Sequence, residues 1–198
     1  MLNDKSKIKG GFTIAELIMV IGIIGVLAAI ATNTYRNQRQ AFQYTDSLTK
    51  VISTIKTARN YAVTSRAYWD GTANIVPVEG YGILIDKTAG TFKLFANVGG
   101  SINQYDSTDG DEETYTLPED TIFDSLTLDG AATGKALIIF RPPIAETFIA
   151  EQYGASPPDP IPSKNELVIQ FSRRGAPEGT EPKVIKINKI AGFPEIEF

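Results

Sequence analysis

The longest apolar stretch of the chain lies near its N-terminus, where residues 17–31 are all apolar or glycine. A helix rising about 1.5 Å per residue from Phe12 to Ala31 covers roughly 30 Å, the thickness of the hydrocarbon core of a bilayer. Between Tyr35 and Ala67 there is no glycine or proline, and apolar residues recur every three or four positions. The pattern predicts one long helix that spans a membrane over 12–34 and is amphipathic over 35–67. The amphipathic stripe predicted to be buried is Ala41, Tyr44, Leu48, Val51, Ile52, Ile55, Ala58 and Ala62.

From Pro77 onwards the pattern changes to short β-type runs separated by turn residues. The glycine-containing loop from Asp86 to Gly90 is typical of a hairpin. The stretch from Pro142 to Ser163 is rich in proline and predicts an extended surface loop. We expect an α+β fold in which the long helix packs on an antiparallel sheet of a β-rich globular head over residues 68–198. The six predicted strands are 80–86, 91–96, 121–128, 136–140, 166–172 and 183–189.

Glu16 lies inside the predicted membrane span. An ionised acid there costs on the order of 2.5 to 3.5 kcal/mol, so it predicts a functional role and requires a partner. If the chain is cut between Gly11 and Phe12, the new α-amine of Phe12 is a cation one helical turn from Glu16. This amine is within reach of the Glu16 carboxylate of the same chain or of an adjacent subunit.

The chain resembles the type IV prepilins and pseudopilins. The resemblance lies in Gly11, Phe12 and Glu16 and in the apolar helix that follows them. The resemblance implies that a prepilin peptidase removes a cytoplasmic leader, residues 1–11, and methylates the Phe12 amine. It also implies that Glu16 neutralises the Phe12 amine of a neighbouring subunit as a filament grows. Many major pilins have proline where this chain has Asn33, which leaves the implied processing intact.

Two segments beyond the predicted membrane span extend the resemblance. The sequence from Ile55 to Arg66, and that from Ile169 to Gly175, are similar to the H-type minor pseudopilins of type II secretion and their minor-pilin relatives. The resemblance implies a low-copy subunit at or near a filament tip. A major subunit is the alternative.

Two other interpretations of the N-terminus compete with this resemblance. An ordinary secretory signal peptide has a basic start, here Lys5, Lys7 and Lys9, and a cleavage site such as Ala29-Ile30-Ala31. A generic single-span anchor explains the apolar run alone. Neither explains Glu16, and the helical pattern continues past Ala31. The leader lysines favour a cytoplasmic N-terminus and an extracytoplasmic head.

Composition restricts the chemistry of the head. The formal net charge is −4 and the chain contains neither histidine nor cysteine. Acidity argues against broad nucleic-acid binding, and the absence of histidine removes the commonest general base. We therefore predict a protein that is not an enzyme and needs no cofactor.

Three clusters resemble ligand sites. The segment Gly130 to Lys135 is one residue short of a phosphate-binding loop and precedes a strand, so we interpret it as a turn. Asp106, Asp109 and Asp111 are weak calcium candidates, because oxygen ligands on a bend can hold this ion. Their spacing fits no EF-hand, and a solvated acidic loop is the favoured interpretation. Arg173 and Arg174 belong to a basic C-terminal third, where a DNA-binding face is the less favoured alternative.

The sequence thus predicts a structural subunit, of minor abundance, of a type IV pilus or a type II secretion pseudopilus. Its expected partners are the prepilin peptidase, other pilin subunits through the N-terminal helix, and the cytoplasmic membrane before assembly into an extracytoplasmic filament. The alternatives are a DNA-uptake or adhesion pilin and a secreted β-rich binding domain with a signal peptide.

Overall fold

A computed structural model describes residues 13–99, 103–153, 160–176, 181–190 and 194–197. The long helix α1 covers Ile14–Val63. Internal contacts divide the chain into one unit that ends at Ala41 and a second that begins at Phe42. The first unit holds the apolar part of α1, and the second holds its amphipathic part and the whole β-structure.

The first unit is long and apolar enough to cross a membrane, with a mean hydropathy of 2.7 over its most apolar window. None of that window is buried. Large side chains such as Leu17, Ile24 and Ile30 are more than half exposed. A helix that leaves its apolar side chains uncovered requires an apolar environment from outside the chain.

In the second unit, the predicted stripe of α1 is the face that packs on the sheets. Val51, Ile55 and Ala58 are fully buried, and Leu48 and Ala62 nearly so. Tyr44 and Ile52 pack at the margin of the core, whereas Ala41 is exposed. The amphipathic periodicity therefore predicted the buried face correctly except at its first position.

The helix ends at Val63, four residues before the predicted end at Ala67. Ser65 adopts a left-handed conformation with a φ of 47°. Its N–H donates to the carbonyl of Ala62, and the N–H of Arg66 donates to the carbonyl of Tyr61. These two bonds form a Schellman cap, in which the left-handed residue is usually glycine. Because serine occupies that place here, the sequence carried no stop signal.

The strands form three antiparallel sheets. The strands are β1 Tyr68–Trp69, β2 Asn74–Ile75, β3 Tyr81–Asp86, β4 Thr91–Ala96, β5 Gly110–Thr116, β6 Thr121–Leu128, β7 Ala131–Ala132, β8 Lys135–Arg141, β9 Glu146–Glu151, β10 Glu166–Arg173, β11 Lys183–Asn188 and β12 Pro194–Glu197. A small hairpin joins β1 and β2. The first large sheet has the order β5-β4-β3-β8-β9, and the second has the order β12-β11-β10-β6-β7.

Both faces of the first sheet are covered by apolar groups. One face joins α1 and the second sheet in the main core, which includes Ile83, Ile138 and Phe171. The opposite face carries a separate group that we call the outer cluster, packed against Leu84, Tyr105 and Ile161. The outer cluster consists of Phe95, Leu137, Ile139, Phe148 and Ala150.

The α+β architecture is confirmed, as is the hairpin of β3 and β4 around Gly90, whose φ is +64°. The prediction of an uninterrupted surface loop from Pro142 to Ser163 is wrong. Strand β9 lies within it, and Thr147, Phe148, Ile149 and Ala150 of this strand are buried. The prolines occur before and after β9, where they do not disturb its pairing with β8.

Candidate functional site

The N-terminal end of α1 is capped by Thr13 and Glu16, each of which hydrogen-bonds to the other. The Thr13 N–H and hydroxyl both donate to Oε2 of Glu16, each over 2.9 Å. The Glu16 N–H donates in turn to Oγ1 of Thr13 over 3.2 Å. This is a capping box, with threonine at the N-cap and glutamate three residues later. It satisfies backbone donors that the first helical turn otherwise leaves without partners.

The capping box gives Glu16 a partner within its own helix. The sequence contains its signature, a threonine and a glutamate three residues apart before an apolar run, although the hydrophobic pattern alone does not predict it. An acid whose oxygen accepts two hydrogen bonds is less costly inside a membrane than a bare carboxylate.

Gly11 and Phe12 lie outside the described residues. Cleavage between them, methylation of Phe12 and pairing of its amine with Glu16 therefore stay predictions.

The alternative cleavage site, Ala29-Ile30-Ala31, lies inside the continuous helix. On the same helix, Gly22 and Gly25 face open space, since a Cβ added at either position meets no atom within 4 Å. A groove of about 360 Å³ runs beside Gly22, between Met19, Ile23 and Val26. Small residues on an exposed apolar helix allow another helix to approach closely.

Three consecutive acids of the head, Asp111, Glu112 and Glu113, each contact a lysine or arginine from a different part of the chain. Lys93 on β4 contacts Asp111 at 2.8 Å, and Lys50 on α1 contacts Glu113 at 2.7 Å. Between these two acids, Glu112 lies 3.5 Å from Arg66. From Gly110 onwards this segment is strand β5, so the prediction of a solvated loop is wrong for Asp111 and the residues after it.

The three calcium candidates have different surroundings. Asp111 accepts from Lys93 and from the Tyr105 hydroxyl, each over 2.8 Å. Asp106 Oδ1 accepts from the N–H and the hydroxyl of Thr108. Asp109 is half-buried and accepts from the N–H groups of Val98 and Asp106. Within the described ranges no three acidic side chains converge as a metal site.

Burial raises the pKa of the Asp109 carboxyl group to about 6, and the nearby charge of Asp106 adds to the rise. The backbone donors oppose this rise without cancelling it. Asp109 is therefore an acid that changes its charge near neutral pH.

The remaining clusters have structural explanations. Asp129 and Gly130, with φ of 50° and 80°, form the turn between β6 and β7, and strand β8 follows. The interpretation of this segment as a turn is thus correct for Gly130, whereas Ala131 and Ala132 form β7 and Lys135 is the first residue of β8. Arg173 is the last residue of β10, and the Arg174 N–H donates to the carbonyl of Asp120. A DNA-binding role for Arg173 and Arg174 therefore stays a prediction.

Comparison with curated proteins finds two similar chains, both named fimbrial protein and both from Pseudomonas aeruginosa. Each is 42% identical over 57 residues, which is 29% of this chain and 36% of the relative. The match thus spans about a third of the length of these relatives. No family model matches the chain, and no solved structure matches it. The partial similarity, together with the exposed apolar helix, supports a pilin-like chain.

Proposed function

We propose that this protein is a structural subunit of a type IV pilus or of a type II secretion pseudopilus, assembled through α1. The observation that carries the proposal is the apolar unit of α1, which is uncovered and begins with the Thr13–Glu16 capping box. A filament of like helices would cover those side chains. The partial similarity to two fimbrial proteins supports the same role.

In this proposal the chain is stored in the cytoplasmic membrane and loses residues 1–11 to a prepilin peptidase, which also methylates the amine of Phe12. Glu16 then exchanges the capping contact with Thr13 for the Phe12 amine of a neighbouring subunit. The exchange costs the capping hydrogen bonds and gains a charge pair in a region without water, where an unpaired amine is strongly unfavourable.

The proposed minor role depends on the resemblance of the segments from Ile55 to Arg66 and from Ile169 to Gly175. In the structure the first segment forms the end of α1 and its Schellman cap. The second lies mostly on β10 and ends at Gly175, whose φ is +70°. The minor role and the likeness to H-type pseudopilins therefore depend on the sequence of these two segments.

The test is Glu16→Gln, expressed in the native host and measured separately in the membrane and in sheared filaments. We expect a normal membrane level and normal leader removal, because the amide inserts at lower cost than the acid. The filament level should fall at least tenfold, because the Phe12 amine loses its partner. Glu119→Gln, which changes an exposed acid of the head, is the matched control and should assemble normally. Equal incorporation of both variants would contradict the role of Glu16.

A further inference from the structure

Strand β9 is the last strand of the first sheet, yet its side chains are buried like those of an interior strand. Thr147 and Phe148 are 5% and 8% exposed, and Ile149 and Ala150 are fully buried. The opposite edge strand, β5, is exposed along most of its length and carries three acids. Charged, exposed edges are a usual protection against pairing with another chain, and β9 carries charge only at its two ends, at Glu146 and Glu151.

The hydrogen-bond pattern shows which backbone groups of β9 point away from the sheet. The Gln152 N–H donates to the carbonyl of Lys135 on β8. Because bonded and non-bonded pairs alternate in an antiparallel ladder, Phe148 and Ala150 face β8, whereas Thr147 and Ile149 direct their N–H and C=O groups outwards. The Ile149 carbonyl indeed accepts from an N–H outside the sheet, that of Lys164.

Residues 160–164, which we call the strap, cover this edge. Ile161 packs on the outer cluster, and the Lys164 N–H donates to the Ile149 carbonyl over 2.7 Å. Pro160 and Pro162 have no N–H to donate. Among the described residues, no acceptor contacts the N–H groups of Thr147 and Ile149. The strap thus shields the edge without pairing with it as a strand does.

A second observation is that the packing of the strap leaves one buried polar group without a hydrogen bond to the described chain. The hydroxyl of Ser163 is buried, and the described chain gives it no hydrogen-bond partner. Buried polar groups are nearly always paired, because an unpaired one loses its bonds to water without replacement. The strap therefore lowers the free energy of the edge by less than a fully paired strand would.

We propose that the strap is a removable cover, and that the edge of β9 beneath it binds an extended segment of a partner protein by β-strand addition. The partner would place an apolar side chain where Ile161 lies and pair with the outward backbone groups of Thr147 and Ile149, replacing the Lys164 N–H at the Ile149 carbonyl. A basic residue at the start of β9 would suit the exposed Glu146, which has no ion pair within the described chain. This inference does not depend on filament assembly.

The test uses the full chain in detergent micelles and a synthetic peptide with the strap sequence 160–164 carrying Pro160→Val and Pro162→Val. The two valines supply the N–H groups that the prolines lack. Ile161→Asp in the protein should release the strap and tighten peptide binding at least tenfold. Binding should slow amide exchange at Thr147 and Ile149. A control peptide that also carries Ile161→Asp should not bind.

A second protein variant keeps the test decisive if Ile161→Asp does not fold. Ser163→Ala removes the unpaired hydroxyl, so it should hold the strap more firmly and weaken peptide binding severalfold. Absence of peptide binding to every folded variant, or binding without protection of Thr147 and Ile149, would overturn the proposal. So would binding that Ser163→Ala leaves unchanged.

Discussion

The hydroxyl of Tyr44 on α1 donates to the carbonyl of Phe171 on β10, over 3.0 Å and across 127 residues of sequence. The same hydroxyl accepts from the N–H of Lys183, the first residue of β11. One side chain thus joins the helix to two neighbouring strands at the end of their ladder. It satisfies both backbone groups there.

Tyr44→Phe should destabilise the head, because the carbonyl of Phe171 and the N–H of Lys183 lose a partner while the aromatic ring stays. We expect a loss of about 1 to 3 kcal/mol in the free energy of unfolding. Chemical unfolding of the full chain in micelles, followed by circular dichroism, measures it. Tyr35→Phe is the control, because that side chain is exposed and should leave stability unchanged. Equal stability of the two variants would show that the Tyr44 hydroxyl adds nothing.

Gly11→Val should leave the leader attached, since a bulky residue does not fit where a peptidase must accommodate the residue before its cleavage point. Intact-mass and N-terminal peptide analysis of protein from the native membrane measures the outcome. The unaltered chain should begin at N-methylated Phe12, and Gly10→Val is the neighbouring control, expected to be processed. A first residue at Thr32 would establish the signal-peptide interpretation instead.

Thr13→Val should loosen the first turn of α1, because valine keeps the shape of threonine but loses the hydroxyl that pairs with Glu16. The loss of an N-cap costs about 0.5 to 2 kcal/mol, equivalent to an increase of roughly 2- to 30-fold in amide exchange of the first turn. Exchange measured in micelles by mass spectrometry or NMR reports it. Thr13→Ser should restore protection. A first turn that exchanges at the same rate in all three proteins would exclude a capping role.

Asp109 predicts a specific pH dependence of stability. Its pKa of about 6 in the folded chain lies above the ordinary value of 3.8, so the folded state binds the proton more tightly. The stabilisation is complete below about pH 4 and is lost as the pH rises through 6. Because the group is half-exposed, we expect about 1 kcal/mol after screening by water. The measurement is the difference in unfolding free energy between the unaltered chain and Asp109→Asn at pH 5 and pH 8.

Comparison with Asp109→Asn is needed because folding shifts the pKa values of Asp70 and Asp86 downwards, so their effect on stability changes with pH in the opposite direction. Backbone hydrogen bonds lower the pKa of Asp70. Burial acts to raise the pKa of Asp86, but the hydrogen bond from Lys135 and the backbone donors outweigh it and lower that pKa, so both acids lose stabilisation on acidification. A difference between the two proteins that does not change with pH would contradict the assignment.

Millimolar calcium should shift the melting temperature little, and a rise of many degrees would instead identify an ion site at this loop.

The sequence by itself determined the parts of the protein that depend on neighbouring residues. The apolar helix, its amphipathic continuation and the β3–β4 hairpin follow from periodicity and turn chemistry within short windows. The capping box of Thr13 and Glu16 is also predictable from the sequence, since its two members are three residues apart. The proposed cleavage after Gly11 and methylation of Phe12 would depend instead on an enzyme outside the chain.

Only the tertiary structure decided the role of groups whose partners are distant in sequence. The segment that contains Asp111 is an edge strand because it pairs with β4, and its acid Glu113 contacts Lys50, 63 residues away in the sequence. Likewise, β9 lies between proline-rich segments that indicate a loop, and it is a buried strand because it pairs with β8 and the strap contacts its outer edge. Composition shows which groups need a partner, whereas the fold determines which partner they meet, because long-range pairing depends on how the strands and the amphipathic part of α1 pack together.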